Sequence, residues 1–525
     1  MSKITTKAVF KPYATNQTLL LTQSLEELIP KDHLVRVVNL VADQMELGAI
    51  INSYAGGGSS AYHPVMMIKV MLYAYAMKIY TGRKIARALR QDVTFMWLAA
   101  YNRPDFRTLN DFRSGMLKQT IEQLFKSFLM FLVEHKYVKF ENYFVDGSSY
   151  AADANRRKMV WKKKAQRYKE GAEKKFEVLF KEIDALNKQE NHQYGNQDLE
   201  ETGGGASGIT PQKISDQIDG LNKIIEKTVD NKKKKRRAIT IKKQLEAQRQ
   251  KLSTYKQQLT IAGERSGYSK TDTDAVAMRM KNEEILPAYN ALIGTENQFI
   301  INYSVHQNGS DHACFREHLN QLEKHTDKKP VNINGDAGFG SEENYELLEQ
   351  KQIGNYLKYT TFHLEQKRKY RNNPFHKDHF VYDPLTDTYT CPGNRKLIFQ
   401  YTSKRTHSRT QYVSMVRRYE CENCSHCPFA SQCKGSKESN RTITINERFE
   451  RFRQQARQNL MSEKGVLLRK QRSQDVESVF GDLKMNGHFR RFHLRGKIKV
   501  KTEFGILALS HNLRKIHFSD LKRAN

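Results

Sequence analysis

Residues 471–516 read QRSQDVESVFGDLKMNGHFRRFHLRGKIKVKTEFGILALSHNLRKI, and they join one acid to a densely basic segment. On an α-helix with about 100° per residue, an apolar stripe forms from Val476, Val479, Phe480 and Leu483. Glu477, Gly481 and Lys484 align along the border of that stripe. Because Gly481 carries no side chain, a bulky group can approach Glu477 one turn away. The stretch therefore predicts a carboxylate at the edge of a buried helix face.

The second part of this stretch interleaves basic and aromatic residues. The basic residues are Arg490, Arg491, Arg495, Lys497, Lys499 and Lys501, and Phe489, Phe492 and His493 lie among them. Cations neutralise phosphates and aromatic rings stack on bases, so this pattern is typical of a nucleic-acid surface. Taken alone, an ordinary amphipathic helix with a solvated basic tail explains the stretch as well.

Charge narrows the choice of partner. The 525 residues include 88 Lys and Arg against 57 Asp and Glu, a net charge of +31, so a polyanion is expected. An anionic membrane surface is the rival partner. However, the sequence has no run of 18 or more apolar residues, and residues 1–17 contain no apolar signal core. We therefore expect a cytosolic protein that binds nucleic acid.

Residues 1–138 are predicted to form an all-helical unit, from apolar periodicity at 33–47, 65–80 and 117–135. Residues 83–100, RKIARALRQDVTFMWLAA, predict a short basic helix, a break at Gln91–Asp92 and a second apolar segment. This pattern suits a helix-turn-helix whose basic residues face DNA, namely Arg83, Lys84, Arg87 and Arg90. A plain helical bundle with a basic surface is the alternative.

Two aspartates each follow a short strand-like run. Asp146 follows Tyr143–Val145, and Asp336 follows the strand in KPVNINGDAGFG, residues 329–340. Strand-like 297–306, helix-like 311–325 and a helix capped by Ser341 complete an alternation that predicts an α/β sheet. A strand that ends in an acid holds that acid rigidly at the rim of the sheet. An ordinary turn is the alternative for each aspartate.

Residues 165–261 carry apolar spacings of three, four and seven on three segments, which predicts a coiled-coil-like helical arm. The spaced residues are Phe176, Leu179, Ile183 and Leu186, then Ile214, Ile218, Leu221 and Ile225, then Ile241, Leu245, Leu252 and Leu259. A polar linker at 191–208 separates the first two segments. The run KKKKRR at 232–237 is expected to contact phosphates from the tip.

Five of the six cysteines lie in residues 391–433, within a basic region that is expected to be irregular apart from a short strand-like run at 379–392. They are Cys391, Cys421, Cys424, Cys427 and Cys433. Two CxxC steps that share a cysteine can present thiolates tetrahedrally to one zinc ion, so a structural zinc site is predicted. Reduced cysteines without metal are the alternative, and an iron–sulfur cluster fits less well because nothing else suggests redox chemistry.

Three motifs follow one another along the chain: VDGSSYAADAN at 145–155, NINGDAGFGSEENY at 332–345 and DVESVFGDLK at 475–484. Together they make the chain resemble the DDE transposases of bacterial insertion sequences, most closely the eleven-eighty-two family. The resemblance implies an α/β fold with a ribonuclease-H-like mixed sheet. It divides the chain into a helical DNA-binding domain at 1–138, a catalytic core at 139–164 and 262–360, an inserted arm at 165–261, a basic cysteine-bearing insertion at 361–448, and the Glu helix with basic carboxyl-terminal helices at 449–525.

By position, the resemblance makes Asp146, Asp336 and Glu477 the catalytic acids. These acids would hold two Mg²⁺ or Mn²⁺ ions about 3.5 to 4 Å apart, with Asp146 bridging them. The implied reaction nicks DNA at the ends of the element and transfers the strands into target DNA. The implied active complex is a homodimer on double-stranded DNA, associated with the bacterial nucleoid. Asp475 and Asp482 belong to the same helix but are expected to point away from Glu477.

The family also has basic residues at fixed distances from its glutamate. Lys484 matches the family's lysine seven residues after the glutamate, but Ser473 stands where the family's broader signature has an arginine. Because an α-helix turns about 100° per residue, Arg472 is not expected to replace that arginine directly, and Lys470 shares the face of Glu477. The phosphate contact is therefore assigned to either Arg472 or Lys470. Two other functions stay open, a non-catalytic DNA-binding protein and a metal-dependent DNA nuclease.

Overall fold

The computed structural model describes residues 24–52, 61–194, 211–227, 232–280, 282–435 and 439–524. Residues 1–17 and most of the predicted linker at 191–208 lie outside these ranges. Contacts divide the chain into two compact units, one made of Met1–Met116 with Asn512–Asn525 and the other of Leu117–His511. None of the described helices is both long and apolar enough to cross a membrane.

The first unit is helical in its described part, as the periodicity predicts. Its helices are α1 (Leu34–Asp43), α2 (Gly48–Asn52), α3 (Pro64–Ala76), α4 (Gly82–Gln91), α5 (Val93–Leu98) and α6 (Phe106–Asp111), and a π-helical turn, Phe112–Met116, follows. The core is apolar, and Val35, Val38, Ile85 and Leu89 are fully buried in it. The Arg113 guanidinium is buried as well and donates to the Tyr75 hydroxyl at 2.8 Å.

The geometry of α4 and α5 favours the bundle over the helix-turn-helix. The predicted break is present, and Asp92 caps α5 by accepting a hydrogen bond from the Thr94 N–H at 2.9 Å. However, α5 has only six residues, it buries Phe95 and Leu98, and none of its side chains is fully exposed. The helix therefore lacks the exposed polar face that a groove-reading helix needs. The basic side chains Arg83, Lys84, Arg87 and Arg90 of α4 are exposed.

The second unit is built on a six-stranded mixed sheet. Its elements in chain order are α7 (Leu117–Glu134), β1 (Asn142–Ala151), β2 (Met159–Trp161), α8 (Lys162–Tyr194), α9 (Pro211–Lys227), α10 (Lys232–Ala262), β3 (Gly267–Ser269), β4 (Val276–Arg279), β5 (Ile285–Glu296), β6 (Phe299–His306), α11 (Asp311–His325), β7 (Asn332–Gly335), α12 (Glu342–Gln350) and β8 (Gly354–Leu357). The strand order is β4-β5-β1-β7-β8, and β6 also pairs with β5. β1 is antiparallel to β5 and parallel to β7, so it lies in the middle of the sheet.

The prediction that the first strand ends at Asp146 was wrong. β1 continues to Ala151, because Asp146 and Gly147 pair with Ile293 and Leu292 of β5. The twelve-residue β5 was not predicted, since Pro287 and Gly294 interrupt its pattern and ten of its residues are buried, which removes any alternation. The Asp-Gly pair is therefore part of a strand and does not form a turn.

Glu296 fixes the chain where it enters β1. Its Oε2 accepts hydrogen bonds from the backbone N–H groups of Lys139 and Phe140, at 2.8 and 2.7 Å. Its Oε1 accepts from those of Glu141 and Asn142, at 2.8 and 3.2 Å. Four consecutive donors thus converge on one buried carboxylate, which sets the register of the strand that carries Asp146.

The substitution Glu296→Gln is expected to destabilise the second unit by about 1–3 kcal/mol, because the amide NH₂ would face two backbone N–H donors that then lose their acceptor. Thermal unfolding measures this effect, and Glu283→Gln is the matched control, since the Glu283 side chain is 80% exposed. An unfolding temperature equal to that of the control would contradict the assignment.

The three helices α8, α9 and α10 pack around a cluster of buried side chains from each of them, which includes Phe176, Leu221 and Leu245. β2 pairs with β3. β2 directly precedes α8, which begins at Lys162, and β3 follows α10, which ends at Ala262. Of the predicted basic tip, Lys232, Lys233, Lys235, Arg236 and Arg237 are exposed. The role of these helices as an inserted arm stays a prediction.

Residues 361–448 are more regular than the sequence suggested. Beyond α13 (Phe362–Glu365) and α14 (Arg368–Arg371), they form a five-stranded antiparallel sheet of β9 (Val381–Asp383), β10 (Thr388–Thr390), β11 (Lys396–Thr406), β12 (Val413–Cys421) and β13 (Thr442–Ile445), with α15 (Ala430–Lys434) before β13. The expectation of an irregular region was wrong, because only one face of this sheet is apolar and its long strands are largely exposed and basic. Its core contains Leu397, Tyr419 and Ile443.

The chain then returns to helices. They are α16 (Glu447–Met461), α17 (Glu463–Arg472), α18 (Ser478–Gly481) and α19 (Lys497–Ala524). Two π-helical turns, Ser473–Glu477 and Asp482–Asn486, flank α18. The predicted apolar stripe is confirmed, because Val476, Val479, Phe480 and Leu483 are all buried. The predicted opening is present too, since a Cβ atom added to Gly481 would meet nothing within 4 Å.

Candidate active site

The mixed sheet brings the two aspartates together. In the parallel pair of β1 and β7, Val145 lies opposite Gly335, so Asp146 within β1 and Asp336 directly after β7 lie side by side. Each Oδ1 atom accepts a hydrogen bond from a nearby glycine, from the Gly147 N–H at 2.9 Å for Asp146 and from the Gly338 N–H at 2.8 Å for Asp336. These bonds orient both carboxylates at the carboxyl end of β7.

One guanidinium connects these aspartates to the glutamate. Arg472 Nη1 lies 2.6 Å from Glu477 Oε1, and Nη2 lies 3.3 Å from Asp146 Oδ1 and 3.9 Å from Asp336 Oδ2. The Arg472 side chain is only 8% exposed, whereas that of Glu477 is 50% exposed. Residues that are far apart in sequence, at 146, 336 and 477, therefore surround a single buried cation.

The expectation that Arg472 lies off the face of Glu477 was wrong, and the local helix type gives the reason. Ser473–Glu477 forms a π-helical turn, in which the hydrogen bonds span five residues instead of four. Arg472 lies five residues before Glu477, so the wider turn places the two side chains on one face. Lys470, the other candidate, is exposed, and no contact joins its side chain to the three acids within the described part of the chain.

Asp146 is the acid whose protonation the site perturbs most clearly. Burial raises its pKa from the usual 3.8 to about 6, the Arg472 guanidinium acts against this rise, and the charges of Asp336 and Asp311 add to it. Asp146 therefore changes charge near neutral pH. Such a group needs a further cation nearby to be fully ionised under mildly acidic conditions.

Asp311 is a fourth acid at this site, and sequence reasoning missed it. It opens α11, its Oδ1 accepts a hydrogen bond from the Asn290 side chain at 2.6 Å, and burial raises its pKa. A side chain at position 147 would collide with the Asp311 carboxylate, so Gly147 is required for this close approach. The sequence offers no signal for Asp311 beyond a helix start, because its place depends on β5, which was not predicted.

Lys484 lies against β1. It follows Glu477 by seven residues in the sequence, and its ammonium group binds protein atoms. Its Nζ donates to Ser148 Oγ at 2.5 Å and to the Ser149 carbonyl at 2.7 Å, and it lies 4.1 Å from the centre of the Tyr150 ring. The lysine thus anchors the second π-helical turn to the strand that carries Asp146. Its contact with DNA stays a prediction.

The basic segment after the glutamate differs from the predicted pattern of stacking aromatic rings. Phe489 and Phe492 are fully buried and pack on Tyr150, so they are unable to stack on bases. They belong to the core because residues 490–492 run parallel to the end of β1 and form a β-bridge with Ala151. Arg491 and Arg495 form ion pairs with Asp153.

The other basic residues of this segment vary in their contacts. Arg490 and Lys499 are exposed, and Lys497 Nζ lies 3.2 Å from Glu317 Oε1. Lys501 Nζ lies 2.7 Å from Glu122 Oε1. His493 Nδ1 lies 3.1 Å from Oε1 of the buried Glu503 carboxylate. The segment keeps a basic surface, and part of its charge is neutralised by acids of the same unit.

The five predicted cysteines meet at one place. Cys391, Cys421, Cys424, Cys427 and Cys433 line a single cavity of about 20 Å³, and all five are free thiols. Cys424 Sγ accepts a hydrogen bond from the Arg441 backbone N–H at 3.3 Å. Cys433 interacts electrostatically with Cys391, Cys424 and Cys427. Cys391 directly follows β10, Cys421 ends β12, Cys424 and Cys427 lie in the loop before α15, and Cys433 belongs to α15.

Neither cluster is arranged as a finished metal site. Among the described residues, no three His, Cys, Asp or Glu side chains are positioned to hold a metal ion as they stand. At the acids, the Arg472 guanidinium occupies the position of a shared cation. The donor chemistry nevertheless fits a hard divalent ion, because carboxylate oxygens are its preferred ligands. Binding therefore requires side-chain rearrangement.

Comparison with known proteins gives two matches. Residues 390–517 match the family described as Transposase DDE domain, and this match includes Glu477, Arg472 and the cysteine cluster. Residues 23–115 match the family described as Transposase domain (DUF772), which covers the helices of the first unit. No curated protein and no solved structure matches the chain. The two family matches, at opposite ends of the chain, together support an insertion-sequence transposase.

Proposed function

We propose that this protein is a DNA transposase that binds the ends of its insertion sequence, cleaves DNA strands there and joins them to target DNA. The observation that carries the proposal is the convergence of Asp146, Asp336 and Glu477 on Arg472, from three distant parts of the sequence. A purely structural ion-pair network has no need for three separate acids around one cation at the carboxyl end of β7. A catalytic site for phosphoryl transfer does need them.

A ribonuclease-H-like core is part of this proposal. Its support is that the acid-bearing β1 lies between an antiparallel β5 and a parallel β7, with the second acid directly after β7. Membership of the eleven-eighty-two family is proposed on the three sequence motifs. Two element ends take part in each transposition event, so we expect a homodimer to be the active form, working at the nucleoid.

Two Mg²⁺ or Mn²⁺ ions, held by Asp146, Asp336 and Glu477, would activate the attacking oxygen and stabilise the leaving oxygen. The protein side chains would position the ions and the reacting oxygens. Asp336 and Asp146 are fixed by glycine N–H donors, while Arg472 neutralises the acids in the absence of metal. We propose that Arg472, and not Lys470, fills the family's arginine role, because it alone of the two reaches the acids. With the acids neutralised by metal, the N–H donors of Arg472 would be available to hold a phosphate.

Each unit is proposed to carry its own DNA-contacting residues. In the first unit, Arg83, Lys84 and Arg87 are exposed on α4. In the second unit, the candidates are Lys470, Arg472, Lys484, Arg490, Arg491, Arg495 and Lys497, together with the basic start of α10. With a net charge of +31, binding to duplex DNA should weaken steeply as salt rises.

We also propose that the cysteine cluster binds one structural Zn²⁺. A cavity of about 20 Å³ lined by five free thiols has room for one ion of this size. Four of these five thiols would complete a tetrahedral site. Cys433 interacts electrostatically with Cys391, Cys424 and Cys427, and Cys421 interacts with Cys424 and Cys391, so all five are candidate ligands. The Cys421 thiol also donates to the Asn423 carbonyl at 3.6 Å. The ion would fix the end of the five-stranded sheet.

A transposition assay in cells tests the function as a whole. A marker gene flanked by the element's own ends is supplied with the protein, and insertions into a target plasmid are counted and sequenced. A transposase gives insertion junctions at the element boundaries. A DNA nuclease gives broken donor DNA without such junctions, and a non-catalytic DNA-binding protein gives neither product.

The pH dependence of cleavage follows from Asp146. Because its pKa is about 6, the metal-binding charged form is lost as pH falls through this value, so cleavage should drop there. Raising the Mg²⁺ concentration should move the midpoint to lower pH, because the cation stabilises the charged carboxylate. Single-turnover cleavage rates measured across pH at two Mg²⁺ concentrations check this. A midpoint that does not respond to Mg²⁺ would assign the titration to another group.

A further inference from the structure

The site contains a lysine that the chemistry above does not use. Lys358 directly follows β8, and its backbone N–H donates to the Gly335 carbonyl at 3.2 Å. In the parallel pair of β7 and β8, Leu357 lies opposite Gly335, so Lys358 follows beside Asp336. The lysine is half-buried and interacts electrostatically with Asp336, Glu477 and Arg472. Lys358 therefore lies at the same end of the sheet as the catalytic acids.

The charge of Lys358 is not matched by a direct partner. Within the described part of the chain, its ammonium group forms no hydrogen bond and no ion pair, whereas Arg472 and Lys484 are both engaged by protein atoms. Burial lowers the pKa of Lys358, the charges of Arg472 and Arg469 lower it further, and those of Asp336 and Glu477 act against this decrease. A half-buried ammonium group without a hydrogen-bond or ion-pair partner costs stability unless something anionic binds it.

We propose that Lys358 binds a phosphate of the DNA strand that is being cleaved, next to the acids. This inference rests on the proposed function and deepens it. A phosphodiester carries its charge on two non-bridging oxygens, which an ammonium group contacts as a point charge with three donors. Its place at the end of the strand next to Asp336 is where the substrate backbone must pass if the acids act on it.

The competing interpretation is that Lys358 only neutralises Asp336 and Glu477 within the protein. The two roles make opposite predictions for the folded state. A lysine that stabilises the acids should lower the unfolding temperature when it is replaced. A substrate-binding lysine without a protein partner should leave that temperature unchanged or raise it, because a half-buried unpaired charge is removed.

The test uses Lys358→Met and Lys358→Arg in the full-length protein, with Lys351→Met as the matched control. Lys351 caps the end of α12 and pairs with Glu323 on the surface. We expect Lys358→Met to keep its unfolding temperature and to lose about 100-fold in cleavage rate at saturating DNA, a typical loss for one donor that stabilises the transition state. Lys358→Arg should recover part of the rate. Cleavage by Lys358→Met that equals the control, or a loss accompanied by a lower unfolding temperature, would overturn the proposal.

A binding measurement separates this proposal from the proposed function. Element-end DNA is made with one neutral methylphosphonate at each position near the end in turn, and its affinity is measured without metal. At one position, the methylphosphonate should weaken DNA binding by the unaltered protein. It should have little effect on DNA binding by Lys358→Met, because the contact is already absent in that variant. This result is independent of cleavage, so it decides on Lys358 even if the unaltered protein does not cut DNA. Equal losses for both proteins at every position would overturn the contact.

Discussion

Replacing Asp146 or Asp336 with Asn, or Glu477 with Gln, is expected to abolish strand cleavage while DNA binding persists. Each change keeps the shape of the side chain and removes one metal-binding charge, so the transition state loses about 4 kcal/mol or more, which is about a 10³-fold loss in rate. Binding should persist because none of these acids belongs to the basic surface. The measurements are cleavage of labelled element ends and the affinity for the same DNA.

Protein stability distinguishes a chemical role from a structural one. The pKa of Asp146 is raised to about 6 in the folded protein, above its usual 3.8, so its charged form destabilises the fold at pH values above 6. Asp146→Asn removes that charge and should not lower the unfolding temperature at neutral pH. A variant that loses cleavage and unfolds at a lower temperature would instead indicate a structural role.

The control for these acids needs an exposed position in the same part of the chain. Glu463 in the first turn of α17 is exposed, so Glu463→Gln should cleave normally. Asp475 and Asp482 do lie apart from the acid cluster, but both are engaged elsewhere. Asp475 is buried and accepts hydrogen bonds from Thr295 Oγ1 at 2.6 Å and the Gln298 N–H at 3.0 Å, and Asp482 Oδ2 is 3.1 Å from His511 Nδ1. Normal cleavage by the Glu477→Gln variant would contradict the assignment of the third acid.

Removal of the proposed zinc ion is expected to destabilise the five-stranded sheet strongly. In small zinc domains the ion contributes about 10–16 kcal/mol of apparent binding free energy, and this energy stabilises the fold directly. The five-stranded sheet has a small core of its own around Leu397, Tyr419 and Ile443. We therefore expect a chelator to lower the unfolding temperature and to increase hydrogen exchange in β10–β13, before any effect on the mixed sheet.

Metal content gives the direct readout for the cluster. Protein purified without added zinc should contain about one equivalent. Because a tetrahedral site takes four thiolates and the cluster offers five, four of the five single Cys→Ser variants should lose the ion and one should keep it. Soluble, reduced protein without zinc would remove the proposal, and bound iron with visible absorbance would replace it with a cluster.

Asp336 and Glu477 could be placed from the sequence because each belongs to a short local pattern. Asp336 follows a strand and precedes a helix capped by Ser341, whose Oγ accepts from the Asn344 N–H at 3.3 Å as predicted. Glu477 lies on the border of a stripe that is indeed buried. Local patterns of this kind depend on the residues themselves and on their nearest neighbours in the chain.

The missed features depend on partners far away in sequence. β5 is buried on both faces and interrupted by Pro287 and Gly294, so its strand character arises from pairing with β1 and β6. The π-helical turn at Ser473–Glu477 has no local sequence signature, yet it decides that Arg472 reaches the acids. Phe489 and Phe492 resembled stacking residues among basic ones because the sequence does not show that Tyr150 and Phe504 enclose them.

The central claim is that the acids around Arg472 act as a metal-dependent centre for DNA cleavage. Labelled duplexes that carry the element's own ends are incubated with the purified protein, with Mg²⁺, with Mn²⁺ or without metal, and the strands are separated on a denaturing gel. The account predicts a new strand that ends at the element boundary and forms only when one of the metals is present. Protein that binds these ends but leaves both strands intact with either metal would contradict it.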